Sequence, residues 1–250
     1  RDRHNILSLH IETKDINMAS FRKEILGQIE RIDTGRIFTF RDLSFATEKT
    51  ANVAVLLSEQ SRKGVLVRVE KGAYYRPKKS ALGLGKLPVY QDEQFRYLTE
   101  KLNGYITGAY VYNKMGLTEQ VATTITIATP SPVRRFRFKN LDIECVKAYC
   151  MDYPDESLVP YLRLLDAIKD MKRIPGTTGQ DIYNRVKSQY FNGYSLPELE
   201  KIVSLAKSYP PRVRKVVADI LGDIRQTVLQ TEMAKTILPT TRFNLDYKTA

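Results

Sequence analysis

The sequence has little cysteine and as little histidine. Two cysteines, Cys145 and Cys150, cannot build a disulfide framework or a four-cysteine zinc site. Two histidines, His4 and His10, both lie in the first ten residues. A histidine-based metal site or a Ser-His triad in the body of the chain is therefore excluded by count. Tryptophan is absent, while tyrosine is abundant at 15. No apolar run approaches the roughly 20 residues that span a bilayer. The opening stretch RDRHNILSLHIETKDI has no apolar core followed by small residues, so it does not read as a secretory signal. The expectation is a cytoplasmic protein with no membrane contact. The missing initiator Met suggests a processed or truncated chain. Gly83 and Gly85 precede Lys86, but Gly-x-Gly-Lys after a proline-closed segment lacks the full phosphate-loop pattern and reads as linker.

What is present is positive charge. The 250 residues carry 40 Lys and Arg against 28 Asp and Glu, a net +12. Hydrophobic residues make up 42%, ordinary for a chain with a packed core. Half the excess charge lies in residues 20–80, which hold 13 basic and 7 acidic side chains. Inside that stretch Arg62, Lys63, Arg68, Lys71, Arg76, Lys78 and Lys79 are opposed only by Glu70. Such a segment attracts polyanions, but basicity alone does not choose among DNA, RNA and anionic lipid.

Its context narrows the choice. Residues 1–19 read as an irregular arm. Ser20 is a suitable N-cap for a helix in which Phe21, Ile25, Ile29 and Ile32 recur at helical spacing. Asp33-Thr34-Gly35 stops it, and Ile37–Phe40 is a short β-rich run. Residues 41–45 offer one or two helical turns. A second helix is expected from about Thr47 to Lys63, ended by Gly64. Residues 65–70 and 73–76 then form two strands joined at Lys71-Gly72. Helix, strand, short helix, helix and hairpin is the order of a winged helix-turn-helix, whose third helix enters the major groove while the wing follows the backbone. A small α+β domain with a solvated basic hairpin has the same order.

In the second helix Val53, Leu56, Leu57 and Gln60 fall on one side, taken as the core. At 100° per residue the opposite side carries Glu48, Ala51, Asn52, Val55, Ser58 and Arg62. Asn reads adenine bidentately, and Ala touches a thymine methyl. Lys49 and Thr50 suit phosphate oxygens near the helix start. The candidate DNA-binding set is Lys49, Thr50, Ala51, Asn52, Val55, Arg62, Lys63, Arg68, Lys71, Tyr75, Arg76, Lys78 and Lys79. No catalytic residue, metal ligand or cofactor is expected.

Residues 81–92 read as a linker and 93–190 as an α+β domain. In it a helix runs from Gln91 to about Leu102, broken at Gly104–Gly108, and another covers Ala109–Met115. Strands are expected over 123–129, 133–139 and 141–149. Helices follow over 157–171, 179–190, 195–208 and 212–236, with residues 191–250 as a helical extension. Asp142 and Glu144 share a strand face, and with Lys147 they evoke a metal-dependent nuclease. Lys147 points the other way, however, and a two-metal site needs several convergent carboxylates. Asp166, Asp170 and Asp181 read as solubilising charges. Arg134, Arg135, Arg137 and Lys139 form a second basic patch. A nuclease and a non-catalytic interaction scaffold remain the alternatives to a DNA-binding regulator.

Two phrases carry a family resemblance. Residues 63–75, KGVLVRVEKGAYY, resemble the wing of AbiEi-type antitoxins, a basic hairpin with a Gly-x-Tyr phrase. Gly104-Tyr105-Ile106-Thr107-Gly108-Ala109-Tyr110, then Met115-Gly116-Leu117-Thr118 and Ile125–Thr129, resemble the start of that family's second domain. The resemblance covers roughly residues 20–190. It implies an α+β chain with an N-terminal winged helix-turn-helix, an α+β antitoxin domain and a helical C-terminal region. It further implies repression of its own operon by promoter binding. The partners implied are double-stranded DNA and a co-encoded nucleotidyltransferase-like toxin, in systems that act in phage defence by abortive infection. The family supplies no catalytic residues. Neither the operator nor the oligomeric state follows from it.

Overall fold

The computed structural model describes residues 18–83, 85–150, 155–244 and 247. Most of the expected N-terminal arm, with His4 and His10, lies outside the described residues, as do Leu84 of the expected linker and most of residues 245–250. The protein is α+β. It divides into two units, Arg1–Leu98 and Thr99–Ala250.

The first unit opens with helix α1, residues 18–31, which buries Phe21, Ile25 and Ile29. Strand β1 (Ile37–Thr39) follows, then a 3-10 turn over Phe40–Asp42. Thr39 and Asp42 close a reciprocal capping box there, the Asp42 carboxylate accepting from the Thr39 amide at 2.7 Å. The helical turns expected over 41–45 are a single 3-10 turn over Phe40–Asp42, and the first turn of the helix expected from Thr47 is also 3-10, over Thr47–Lys49. Helix α2 (Thr50–Arg62) continues from the latter and buries Val53, Leu56, Leu57 and Gln60, the four positions that periodicity selected.

Helix α2 ends in a Schellman motif. The Gly64 amide donates to Ser61 O at 3.0 Å and the Val65 amide to Gln60 O at 3.0 Å. Gly64 has φ of +72°, where a Cβ costs energy. Strands β2 (Val67–Glu70) and β3 (Ala73–Tyr75) form the hairpin. The sheet order is β1-β3-β2, antiparallel throughout. Phe21, Ile25, Ile29, Phe38, Leu43, Val53, Leu56, Leu57, Leu66 and Tyr74 make one apolar core. This is the winged-helix arrangement.

The unit does not stop at residue 80. Residues 85–87 return along 78–80, with Lys79 bridged to Lys86 and the Leu87 amide donating to Lys78 O at 2.8 Å. Helix α3 (Gln91–Leu102) then supplies side chains to β1. The Glu93 carboxylate accepts from the Ile37 amide at 2.6 Å, and Arg96 donates to Ile37 O at 2.9 Å. An edge strand's open donor and acceptor are satisfied by two side chains one helical turn apart. The unit boundary accordingly falls inside α3, not in the 81–92 stretch expected as a linker.

In the second unit the Gly104–Gly108 stretch, expected as a break, contains strand β4 (Tyr105–Thr107). It is followed by α4 (Ala109–Lys114), β5 (Thr124–Thr129), β6 (Arg134–Phe138) and β7 (Leu141–Lys147). The order is β4-β5-β7-β6, with β5 and β7 parallel and the outer pairs antiparallel. Gly108 starts α4 at φ +75°, and a Cβ there would lie 2.6 Å from Thr126 Oγ1, so the phrase needs glycine.

Helices α5 (Val159–Asp170), α6 (Gly179–Gln189), α7 (Leu196–Ala206), α8 (Pro211–Asp223) and α9 (Thr227–Ala234) complete the unit. The long helix expected over 212–236 is two helices, broken at Arg225. Their buried residues form one core with Tyr105, Tyr112, Leu117 and Ala128. That core runs through residue 190, from Ile182 and Val186 to Phe191 and Leu199, so no boundary falls there.

Candidate nucleic-acid interface

The exposed side of α2 has a definite charge order. Arg62 closes it at the C-terminal end, while Lys49 and Lys63 flank the two ends of the helix; all three are exposed. Between them Ala51, Asn52, Val55 and Ser58 are exposed and uncharged. Glu59 is the one acid within α2, and the Arg22 guanidinium of α1 is hydrogen-bonded to it. That bond holds the Glu59 carboxyl below the usual carboxylate range. The negative charge on the helix is thus matched from the same unit. Glu48 is exposed in the preceding turn.

The cations at the two ends of the helix are positioned by packing. The Lys49 ammonium lies 4.5 Å from the centroid of the Phe21 ring, in cation–π range. The Thr50 hydroxyl is turned back to Thr47 O at 2.6 Å. At the other end the Lys86 ammonium lies over Gly64, 2.5 Å from where a Cβ would sit. The 78–87 turn therefore adds a cation beside the end of α2. Sequence reasoning missed Lys86, because residues 81–92 read as linker. The signal was the Lys-Lys-Ser before the glycines and Gly-Lys after them, a short hairpin pattern.

The wing supplies Arg68 on β2 and Lys71 at the turn, both exposed. Arg68 Nε donates to Glu70 O at 3.2 Å, which holds its stem along the strand. Lys78 and Lys79 are exposed beyond the hairpin, Lys78 with its ammonium 5.6 Å from the Tyr90 ring centroid.

Two candidates are placed elsewhere. Tyr75 is only 6% exposed, and its hydroxyl donates to Leu87 O at 3.3 Å. Its side chain packs under the 78–87 turn, and burial pushes the phenol's pKa up. Arg76 is turned toward α1. Its Nη1 donates to Glu30 O at 2.6 Å and Ile32 O at 2.8 Å, carbonyls at the helix's C-terminal end. Those carbonyls lack intrahelical partners, and a guanidinium suits the negative end of the helix dipole. Arg76 is a helix cap, so the candidate set loses Tyr75 and Arg76 and gains Lys86.

The alternative site on β7 is arranged for cross-strand pairing. Glu144 sits opposite Arg135, which donates to it at 2.6 and 3.0 Å. Asp142 sits opposite Arg137, at 3.9 Å. Each carboxylate faces a guanidinium rather than another carboxylate. Among the described residues no three His, Cys, Asp or Glu side chains cluster to hold a metal ion, and no helix is long and apolar enough to cross a membrane.

The aspartates read as solubilising charges have structural tasks. Asp181 closes a capping box with Thr178 at the start of α6, and the hydroxyl and amide of Thr178 keep its pKa low. Asp170 accepts from the Tyr112 hydroxyl at 2.8 Å. Asp166 is 1% exposed. It accepts from Tyr105 and Thr107 hydroxyls at 2.9 Å each and from Tyr209 at 3.2 Å, with Lys169 at 3.4 Å. Burial raises its pKa, against the opposing pull of Lys169 and the hydroxyl donors.

No curated protein matches the chain. Among solved structures it is similar to the crystal structure of the RV2827C protein from Mycobacterium tuberculosis, at 14% identity and a TM-score of 0.38, over 87% of this chain and 81% of that one. Residues 24–152 match the model of a family of unknown function, DUF6088. The match spans both the winged-helix unit and the sheet of the second unit, and the chain belongs to that family.

Proposed function

We propose that this protein is a sequence-reading DNA-binding regulator without catalytic activity. We propose further that it is an antitoxin, repressing its own operon and opposing a co-encoded nucleotidyltransferase-like toxin through its second unit. The observation that carries the DNA reading is the exposed side of α2, uncharged from Ala51 through Ser58 and ending in Arg62, with Lys49 and Lys63 flanking the helix ends, beside a wing bearing Arg68 and Lys71. Phosphate contacts from the cations would fix register, and the uncharged middle would face base edges. The antitoxin role rests on the resemblance of residues 63–75 and 104–129 to AbiEi-type antitoxins. The arginine partners of Asp142 and Glu144 favour this non-enzymatic reading over a nuclease.

The test is fluorescence anisotropy of the full chain on labelled duplex from upstream of its gene, against scrambled duplex, across a salt series. A preference of about a thousandfold for the native duplex is expected. Equal, weak and salt-sensitive binding to both refutes sequence reading. The toxin role is tested separately by co-expression with the neighbouring gene, where rescue of growth is expected and unrelieved toxicity refutes it.

A further inference from the structure

Resting on that reading of the first unit, we infer that α2 selects duplexes carrying A·T pairs, which it recognises by thymine methyl groups together with adenine. Val55 is 52% exposed on a helix whose buried side is already complete. Ala51 precedes it by four residues and Asn52 by three, so the three are surface neighbours. Both apolar side chains present methyl groups, and thymine alone among the bases presents one in the major groove. Asn52 offers one donor and one acceptor, the complement of adenine N7 and N6. Guanine is read by Arg or Lys, and no such side chain lies on the exposed side between Lys49 and Arg62.

The cations are placed for phosphates instead. Lys49 and Arg62 are thirteen residues apart, about 20 Å along a helix. With α2 in the groove, the cations at its ends lie beside the phosphate walls while Ala51, Asn52 and Val55 face base edges. Lys86, over Gly64, reinforces the far end.

The experiment selects duplexes from a random-sequence pool with the full chain. It then remakes the enriched duplexes with uracil for thymine, which removes only the 5-methyl group, or with 7-deazaadenine for adenine. Enriched duplexes are expected to share A·T positions. Uracil should weaken binding about 3–10-fold for each thymine contacted. In Val55→Ala the uracil penalty should shrink to within twofold at the thymine that Val55 contacts and persist at one contacted by Ala51, while affinity for the uracil duplex stays the same. Asn52→Ala should lose the penalty for 7-deazaadenine. Enrichment of G·C-only sites, or equal affinity for thymine and uracil duplexes, overturns this inference and leaves the DNA-binding reading standing. Enrichment of no duplex over the starting pool overturns both.

Discussion

Arg76 and Lys71 both belong to the basic hairpin, yet the structure assigns them different work, and that difference is measurable. Replacing Arg76 by Ala removes two charge-assisted hydrogen bonds, at 2.6 and 2.8 Å, from the C-terminal end of α1. Hydrogen bonds to charged groups contribute about 1.5–3 kcal/mol when buried. Arg76 is only half-buried, and water can replace part of its contact, so about 1 kcal/mol per bond is reasonable. The first unit should lose about 2 kcal/mol. For a domain of 60–100 residues each kcal/mol moves Tm by roughly 4–8 °C. The first unit's transition in calorimetry of the full chain should therefore fall by roughly 8–16 °C. Binding to a mixed-sequence duplex, measured well below that transition, should keep its salt dependence. Lys71→Ala should do the reverse. Its Tm should stay within about 2 °C, as for an exposed turn residue, and the slope of log K against log salt should lose about 0.9. A salt slope that falls in Arg76→Ala with an unchanged Tm would refute the cap and return Arg76 to the interface.

Three further outcomes follow from backbone and burial. Gly64→Ala should cost about 1–2 kcal/mol, because the position has φ of +72° and the new methyl meets the Lys86 ammonium; an unchanged denaturant midpoint would refute the required left-handed conformation. Arg225→Gly should instead raise stability by about 0.5–1 kcal/mol, since Arg225 holds φ of +63° at the end of α8; a loss in the same assay would show that its side chain matters more than its backbone. Asp166 has a raised folded pKa, so the folded state binds its proton more tightly than the unfolded chain does. Its contribution is greatest below the ordinary Asp range near ~3.9 and is lost as pH rises through the raised value, so Asp166→Asn should flatten that decline in stability; an unaltered pH profile would refute it.

Much of the first unit was legible because its signals are local. The 3.6-residue period of α2 selected Val53, Leu56, Leu57 and Gln60, and all four are buried. Gly64 and Gly72 marked a cap and a turn that require positive φ. Arg76 was not legible as a cap. Its partners, Glu30 O and Ile32 O, are 46 and 44 residues away, and a basic residue in a basic run reads as patch until its direction is known. The same holds for Glu93 and Arg96, which complete the edge of β1 from more than fifty residues downstream. The helix expected over 212–236 failed for a different reason. The Gln226 amide donates to Leu221 O at 2.8 Å and the Arg225 amide to Gly222 O at 3.0 Å, a Schellman closure. Arg occupies the place where Gly would have announced it, so the apolar period ran on unbroken.

Asp166 shows why the helical region could not be separated from the sheet by composition. As one acid on an amphipathic helix it reads as a solvated charge. In the fold its donors come from β4 through Tyr105 and Thr107, and from the loop before α8 through Tyr209. Tyr209 also stacks on Tyr149, at 4.8 Å between ring centroids, just beyond β7. A buried carboxylate is tolerated only where such donors converge, and removing one side leaves the others unsatisfied. The residues that stabilise Asp166 thus come from both sides of position 190. Any surface the second unit offers to a protein partner is carried on a sheet and a helical bundle that share this node. The helices after residue 190 are part of the scaffold of the proposed antitoxin domain rather than an appendage to it.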